Sequence, residues 1–357
     1  MKRIQYPDTV PGMIEHLTER LGDVVPAVEI RTKAELAVQV NALKKEKNAL
    51  ILGHNYMEPV LFHSVPDVTG DSLYLSRVAA QTEADIIVFC GVRFMAETAK
   101  ILNPNRTVLL PSAKGGCSLA ESITAEDVRK LREQYPGAPV VTYVNTYADV
   151  KAESDYCVTS GNAEAMVEHL RQKGHETIIF LPDEYLAGNV AREAGMTFVS
   201  PGKTNGNGAA REAGAVRDAV VSWGGRCEVH EKFTVEDIAM VRKQFPDVVV
   251  LALPECSPEV VEASDFSGST TAMLRYVENM PRGRYLLLTE CSMGDNIASR
   301  NPEREMVRLC SIRCPHMNEI TLEETLASLE KTQYVIDVPE DIRKRARVAV
   351  DRMLEVG

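Results

Sequence analysis

The chain has 357 residues, of which 45% are hydrophobic and 25% are charged, as in a soluble globular protein with a large buried core. Its formal net charge of −11, with no basic run interleaved with aromatic residues, excludes nucleic acid as a main partner. The N-terminus lacks the continuous apolar segment of a secretory signal, and apolar runs such as 248–253 are too short to span a membrane. We predict a cytoplasmic protein without nucleic-acid or membrane partners.

Short apolar runs that end in Gly, Asn, Pro or an acidic residue predict a series of β-strands. In chain order, the predicted strands are 49–52, 86–90, 107–110, 140–144, 156–159, 177–181, 248–253, 262–266 and 285–289. Between many of them the apolar residues recur at helical spacing, for example at 72–80, 163–173 and 271–279. This alternation predicts an α/β fold with parallel sheets that carry helices on both faces.

The ends of the predicted strands form a threefold internal repeat. In each unit the first strand ends in polar residues, a cluster of Ser, Thr, Asp or Asn then opens a helix, and a cysteine comes last. These cysteines are Cys117, Cys227 and Cys314. We predict three α/β units at 49–125, 126–232 and 233–330, with helical segments at 1–48 and 331–357. A Gly- and Asn-rich stretch at 200–209 predicts a long surface loop, which we interpret as an insertion.

The three repeated cysteines are candidate metal ligands. Eight cysteines in a reducing compartment do not indicate a disulfide framework, which favours a metal or redox use. Three thiols on repeated loops can converge and hold a [4Fe–4S] cluster, whose fourth iron then lacks a protein ligand and can act as a Lewis acid. Cys314 precedes a proline, as in bacterial cluster motifs, so we favour it over Cys310. We interpret the remaining four as small buried hydrophobic residues: Cys90, Cys157, Cys256 and Cys291.

The polar residues at the strand ends are candidate acid–base and anion-binding groups. His54 and Tyr56 lie two residues apart in an extended segment, as do Tyr143 and Asn145, so each pair points to one side. Glu255 is the corresponding carboxylate of the third unit. The Ser/Thr clusters either only cap their helices or together form a cage for carboxylate and phosphate groups. His54 alone would be interpreted as structural, but its repeated placement favours a chemical role.

At these positions the chain resembles the quinolinate synthase family. The resemblance extends from about Leu50 to Met317, and its most specific stretch runs from Gly91 to Leu102. The other matching segments are 53–56, 70–72, 116–119, 143–146, 158–160, 254–258, 268–271 and 314–317. The resemblance implies three similar three-layer αβα domains with parallel sheets around a pseudo-three-fold axis. It also implies one [4Fe–4S] cluster bound by one cysteine of each domain, namely Cys117, Cys227 and Cys314.

The reaction implied by the resemblance is the condensation of iminoaspartate (iminosuccinate) with dihydroxyacetone phosphate to quinolinate, with loss of phosphate and water, in NAD biosynthesis. The implied partner enzyme that supplies iminoaspartate is L-aspartate oxidase or aspartate dehydrogenase. The implied substrate-binding residues are His54, Ser72, Tyr143, Asn145, Ser160, His230, Glu255, Ser269 and Thr270. Tyr56, Tyr143 and Glu255 are our candidates for the catalytic proton transfers.

One position departs from the family's pattern. The third unit usually has His-Pro-Glu, and this chain has Leu253 before Pro254 and Glu255, so an alkyl group replaces an imidazole that would contact a substrate carboxylate. Losing a charge-assisted hydrogen bond costs about 1.5–3 kcal/mol. A cluster-binding redox sensor or inactive relative therefore stays open as an alternative. A further alternative is a structural zinc protein that uses Cys291, Cys310, Cys314 and His316.

Overall fold

Three parallel β-sheets form the core of the molecule in a computed structural model that describes residues 3–200, 217–280, 283–308 and 312–356. The sheets contain four, five and four strands, and their strand pairs are all parallel. Helices alternate with the strands along the chain. The predicted α/β fold with three αβα units is confirmed. No helix in the described part of the chain is long and apolar enough to cross a membrane.

Two helices precede the first sheet, α1 (Val10–Leu21) and α2 (Ala27–Glu46). The side chain of Thr9 accepts a hydrogen bond from the backbone N–H of Gly12 and thereby begins α1. The two helices pack against each other, and α2 also packs against the first strand of the first sheet. Their buried apolar faces join the largest apolar core of the protein.

The first sheet has the strand order β2-β1-β3-β4. Its elements are β1 (Ala49–His54), α3 (Pro59–Phe62), β2 (Val68–Gly70), α4 (Ser72–Ala80), β3 (Ile86–Cys90), α5 (Arg93–Leu102), β4 (Thr107–Leu109) and α6 (Ser118–Glu121). Strand β1 is buried along its whole length because it lies inside the sheet between two layers of helices.

The second sheet has the order β6-β5-β7-β9-β8. Its elements are α7 (Ala125–Gln134), β5 (Val140–Tyr143), α8 (Ala148–Ala152), β6 (Tyr156–Val158), α9 (Ala163–Gln172), β7 (Thr177–Leu181), α10 (Glu184–Glu193), β8 (Thr197–Val199) and β9 (Ala219–Ser222). A short 3₁₀ helix follows at His230–Lys232. If the edge strand β8 is set aside, the order of the second sheet is that of the first.

The third sheet repeats this order as β11-β10-β12-β13. Its elements are α11 (Val235–Gln244), β10 (Val249–Ala252), α12 (Pro258–Ala263), β11 (Phe266–Ser267), α13 (Thr270–Asn279), β12 (Arg284–Leu288), α14 (Cys291–Ala298) and β13 (Glu305–Val307). A 3₁₀ helix at Met317–Glu319, α15 (Leu322–Lys331) and α16 (Glu340–Glu355) complete the chain. Helix α16 packs on α8, β6 and α5 and so bridges the first two units.

Each cysteine loop leads to a helix that packs on the sheet of another unit. The helices α7, α11 and α15 are capped by Thr124, Thr234 and Thr321, each seven residues after a cysteine of the repeat. Helix α7 packs with β5 and β7, and α11 packs with β10 and β12. Helix α15 returns to the first unit, where it contacts β3 and α2. The limits that we gave for the three units stay a prediction.

The predicted strand at 262–266 is wrong. Ser257 accepts a hydrogen bond from the backbone N–H of Val260 and Pro258 takes the first helical position, so α12 extends through Ala263 and the short β11 begins only at Phe266. The short strands β2, β8, β9 and β13 are not among the predicted strands. Residues 201–209 of the predicted loop, and Cys310, lie outside the described residues.

Candidate active site

The carboxyl ends of strands from all three sheets face one cavity, as is usual for ligand sites in parallel sheets. The cavity brings together the whole set of site residues that the sequence predicts. They are His54, Tyr56, Ser72, Cys117, Tyr143, Asn145, Ser160, Cys227, His230, Glu255, Ser269, Thr270 and Cys314. Their individual roles stay predictions.

The three cysteines of the repeat occupy equivalent turns. Cys117 precedes α6, and the other two precede the 3₁₀ helices at His230–Lys232 and Met317–Glu319. Each sulfur accepts hydrogen bonds from the backbone N–H groups two and three residues later, which are those of Leu119 and Ala120, Val229 and His230, and His316 and Met317. Such donors favour a thiolate ligand. Burial nevertheless raises the pKa of Cys117 to about 12, so without a metal ion this group is a thiol.

These sulfurs fit a cluster better than a single ion. Within the described residues, no group of three or more His, Cys, Asp or Glu side chains could hold one metal ion. A [4Fe–4S] cluster is larger than one ion, so its thiolates come from loops that stand further apart. The three sulfurs of the repeat line the same cavity, whereas Cys90, Cys157 and Cys256 are fully buried, and Cys291 is half-buried, contrary to our interpretation, but lies outside the cavity. The zinc hypothesis includes Cys310 and is therefore not tested by the described residues.

Glu255 and Tyr143 form a buried acid–base pair across the second and third units. The phenol of Tyr143 donates a short hydrogen bond to Oε1 of Glu255. The other oxygen, Oε2, is buried without a partner. Burial raises the pKa of Glu255 to about 7, although the Tyr143 hydrogen bond lowers it. The carboxyl group can therefore exchange a proton near neutral pH through a free oxygen atom.

A second hydrogen-bonded chain joins Tyr56 to His230 through Thr289. The Thr289 hydroxyl lies 2.5 Å from the Tyr56 hydroxyl and 3.0 Å from Nε2 of His230. Burial lowers the pKa of His230 to about 4, so the imidazole is neutral, and its Nδ1 is buried without a partner. Because a threonine hydroxyl can accept one hydrogen bond and donate another, it couples the phenol to the imidazole.

His54 is oriented by its own strand end. Its Nδ1 accepts a hydrogen bond of 3.2 Å from the backbone N–H of Tyr56, which leaves the proton of the neutral ring on Nε2. Burial lowers the pKa of His54 to about 4. The rings of His54 and Tyr56 also make an edge-to-face contact, with centroids 4.7 Å apart. His54 is therefore a fixed neutral donor.

Some residues of the Ser/Thr clusters cap helices, and others line the cavity. Asp71 caps α4 and Ser269 caps α13, each by accepting a hydrogen bond from a backbone N–H. Ser72 and Ser160 line the cavity without acting as caps of α4 or α9. The simple capping interpretation thus holds for Ser269, while Ser72 and Ser160 are available as donors beside helix N-termini.

Five polar residues at or next to the cavity were not among the predicted site residues: Asp71, Thr159 and Glu290 line it, and Thr289 and Asp183 are buried nearby. Thr289 follows β12 and links Tyr56 to His230, and Glu290 next to it lines the cavity. Asp183 is fully buried, caps α10 with one oxygen and leaves the other without a partner. Thr289 is the last residue of the predicted strand 285–289, and Asp183 follows the predicted strand 177–181 and its proline, so the strand-end argument that found Glu255 could have found both.

The family described as "Quinolinate synthetase A protein" matches residues 38–355 of the chain. "Quinolinate synthase 2" of Mesorhizobium japonicum is 49% identical over 348 residues, which cover 98% of this chain and 99% of the relative. "Quinolinate synthase" of Xylella fastidiosa is 48% identical over 359 aligned residues, covering 100% and 98% of the two chains. "Quinolinate synthase" of Agrobacterium fabrum is 47% identical, covering 99% and 96%.

Proposed function

This chain belongs to the quinolinate synthetase A protein family, and we propose that it condenses iminoaspartate with dihydroxyacetone phosphate to quinolinate, releasing phosphate and water, in NAD biosynthesis. The observation that carries this proposal is the single cavity lined by three cysteines, the Glu255–Tyr143 pair and the first residues of α4 and α13. Such a cavity offers metal ligands, a proton acceptor and anion-binding donors in one place. Supply of iminoaspartate by L-aspartate oxidase or aspartate dehydrogenase, and a cytoplasmic location, belong to the same proposal.

Cys117, Cys227 and Cys314 would hold the [4Fe–4S] cluster. When bound, this group supplies an open iron that acts as a Lewis acid toward an oxygen of the substrate. The paired backbone N–H groups that point at each sulfur stabilise the thiolate form that such a ligand needs.

The chain's own donors would bind the negative groups of the substrates. We assign this task to His54 through Nε2, to Ser72 and Ser160 through their hydroxyl groups, and to Thr270 at the start of α13. The side-chain amide of Asn55 donates to Thr270 at 2.9 Å and fixes that hydroxyl group between the first and third units. Donors at helix N-termini bind carboxylate and phosphate groups without requiring a positively charged side chain.

Glu255 is the proposed base for the enolisation and tautomerisation steps. Its free oxygen, Oε2, would take a proton from carbon, while the Tyr143 phenol at Oε1 holds the carboxylate in place. Tyr56 would return or remove a proton at a second point, since Thr289 connects it to His230. Asn145 and Ser269 would orient the substrates from the second and third units.

The proposed function is tested by following quinolinate formation from dihydroxyacetone phosphate and iminoaspartate generated in place, with anaerobically prepared protein that contains iron and sulfide. Turnover supports the proposal and shows that Leu253 is tolerated. An intact cluster spectrum without turnover favours the redox sensor or inactive relative, the alternative that Leu253 motivates. Here Leu253 is buried, lines the cavity and packs with Met273 and Met293.

Replacing Leu253 by histidine is expected to lower the Michaelis constant for iminoaspartate by about tenfold or more, because an imidazole adds a hydrogen bond to a substrate carboxylate. The volume-conserving Leu253→Met protein, which adds no donor, is the matched control. Steady-state kinetics on both proteins decide the question. An unchanged Michaelis constant in Leu253→His would show that this position does not contact the carboxylate.

Thr289→Val is expected to lower kcat by roughly ten- to a hundredfold, because the buried phenol of Tyr56 and imidazole of His230 lose their common partner. Thr289→Ser keeps the hydroxyl and should remain within about threefold of the parent. Measuring kcat for both proteins tests the connection. Parent-like kcat in Thr289→Val, which lacks the hydroxyl group, would show that the contact between Tyr56 and His230 through Thr289 does not serve turnover.

A further inference from the structure

The stretch from Gly91 to Leu102, the most specific of the sequence, lines the cavity with apolar residues, but its charged residues have no part in the site as described so far. It contains α5, whose first residue is tied to the cysteine loop by a 2.7 Å hydrogen bond from the backbone N–H of Arg93 to the carbonyl of Gly115. Phe94 lines the cavity, but the charged residues of α5 do not. Their contacts lead instead into the second unit.

Glu97 of α5 reaches the loop that follows β5. Its side chain is buried, with Oε2 accepting a hydrogen bond of 2.8 Å from the backbone N–H of Ala148 and Oε1 accepting one of 2.8 Å from Nε of Arg93. The guanidinium of Arg93 in turn lies over the ring of Tyr147, 4.9 Å from its centroid. One carboxylate therefore joins the first turn of α5 to the start of α8.

The buried side chain of Lys151 donates hydrogen bonds to the backbone of the same loop. Its side chain has 0% exposure, and its ammonium donates to the carbonyl of Val144 at 2.8 Å and, by a shorter contact, to the carbonyl of Thr146. These carbonyls lie on either side of Asn145, which lines the cavity. Thr146 adds a 3.0 Å hydrogen bond from its hydroxyl to the carbonyl of Tyr143. The backbone that carries both cavity residues is thus fixed by one buried cation.

We infer that Glu97 and Lys151 are positioning residues that hold Tyr143 and Asn145 in place relative to the Cys117 loop. This inference rests on the proposed function and adds the physical role of the 91–102 stretch. Neither residue lines the cavity, so both act through the loop between β5 and α8. A shift of about 1 Å in such a loop is enough to cost on the order of a hundredfold in rate.

The first test compares Lys151→Met with Lys100→Met. Lys100 lies on α5 and also donates to two carbonyls, those of Pro104 and Arg106, but these lie away from the cavity. We expect kcat to fall by about ten- to a hundredfold in Lys151→Met and by less than about threefold in Lys100→Met, with iron content retained in both. Wild-type kcat in Lys151→Met would overturn the inference.

A double comparison separates positioning from general loss of structure. In an Asn145→Ala protein, Lys151→Met should cost at least about threefold less than it does in the parent, because one of the two residues that it positions is already gone. Fully multiplicative losses would show that Lys151 acts independently of Asn145 and would overturn the inference. If Lys151→Met does not fold, Glu97→Ala takes its place in the same comparison, and Glu97→Gln, which keeps an acceptor for Ala148, should recover most of the activity.

The same pairs of variants are compared in their dissociation constants for quinolinate, measured by calorimetry. A wild-type protein that neither forms nor binds quinolinate overturns the proposed function and this inference together. If the wild-type protein forms and binds quinolinate but the effects of Lys151→Met and Asn145→Ala are independent of each other, the inference alone is overturned.

Discussion

Cys117→Ala, Cys227→Ala and Cys314→Ala proteins are each expected to lose their bound iron and sulfide, and with them at least about a hundredfold in activity. The three sulfurs come from three different loops, and each already has two backbone N–H donors. No other described cysteine lines the cavity and could replace a missing one. Iron, sulfide and zinc analysis after anaerobic purification, together with the visible spectrum, measures the loss.

Cys90→Ala is the matched control for these three variants. Cys90 ends β3 and lies buried, with its sulfur 3.8 Å from the hydroxyl of Thr325, so its removal should leave iron and sulfide contents unchanged. Cys310→Ala should also retain the cluster. Loss of the cluster in Cys310→Ala with retention in Cys314→Ala would reverse our choice of the third ligand, and zinc without sulfide in the parent protein would support the structural zinc hypothesis.

Glu255→Gln is expected to lower kcat by about a hundred- to ten-thousandfold, because the amide cannot accept the proton that a general base removes. The amide still fills the same space and can accept the hydrogen bond from Tyr143. Steady-state kinetics with cluster-replete protein measure the effect. Glu58→Gln is a suitable control, since burial also raises the pKa of Glu58, which lies outside the cavity. Similar kinetics for Glu255→Gln and the parent would rule out Glu255 as the base.

The expected pH dependence of kcat/KM follows from the carboxyl group of Glu255. Burial raises the pKa of Glu255 to about 7, so the proton-accepting carboxylate is scarce at lower pH and predominates at higher pH. The groups that face it are Tyr143, Tyr56 and Asp183, of which only the first donates a hydrogen bond to it. We therefore expect kcat/KM to rise with pH through about 7 in the parent. The residual kcat/KM of Glu255→Gln should not rise with pH in this range. A rise that persists in this variant would show that another group titrates.

The same raised pKa has the opposite effect on stability. The folded protein binds the Glu255 proton more tightly than the unfolded chain does, so this group stabilises the fold most below its ordinary value of 4.5. Its contribution is lost as the pH rises toward about 7. The conditions that create the proposed base are thus the conditions in which its charge destabilises the fold, as is common for buried catalytic groups.

The polar strand ends were predictable because the geometry of parallel sheets brings the carboxyl ends of strands together. That argument needs only the order of strands and turns, and it found His54, Tyr143 and Glu255 without knowledge of any contact. The pairing of Tyr143 with Glu255 was not predictable, because it joins different units over a long stretch of chain. The same holds for Thr289, whose importance lies in the two side chains that it contacts.

Helix caps carry information that the apolar pattern alone does not. We predicted a strand at 262–266, although only Ala263 and Phe266 of this stretch are apolar, and a serine cap followed by a proline begins α12 just before it. The spacing of seven residues from each repeated cysteine to a threonine cap was present in the sequence. It would have strengthened the repeat and placed the beginnings of α7, α11 and α15.

The path of α15 makes the three units interlocked. Helices α7 and α11 pass from one unit to cover the sheet of the next, and α15 returns from the third unit to the first. Unfolding any one unit would therefore uncover apolar surface on a neighbour, which couples the three in one cooperative transition. The three cysteine loops lead into these helices, so separating the units would also separate the three proposed ligands. We therefore expect metal retention and global folding to report on the same equilibrium.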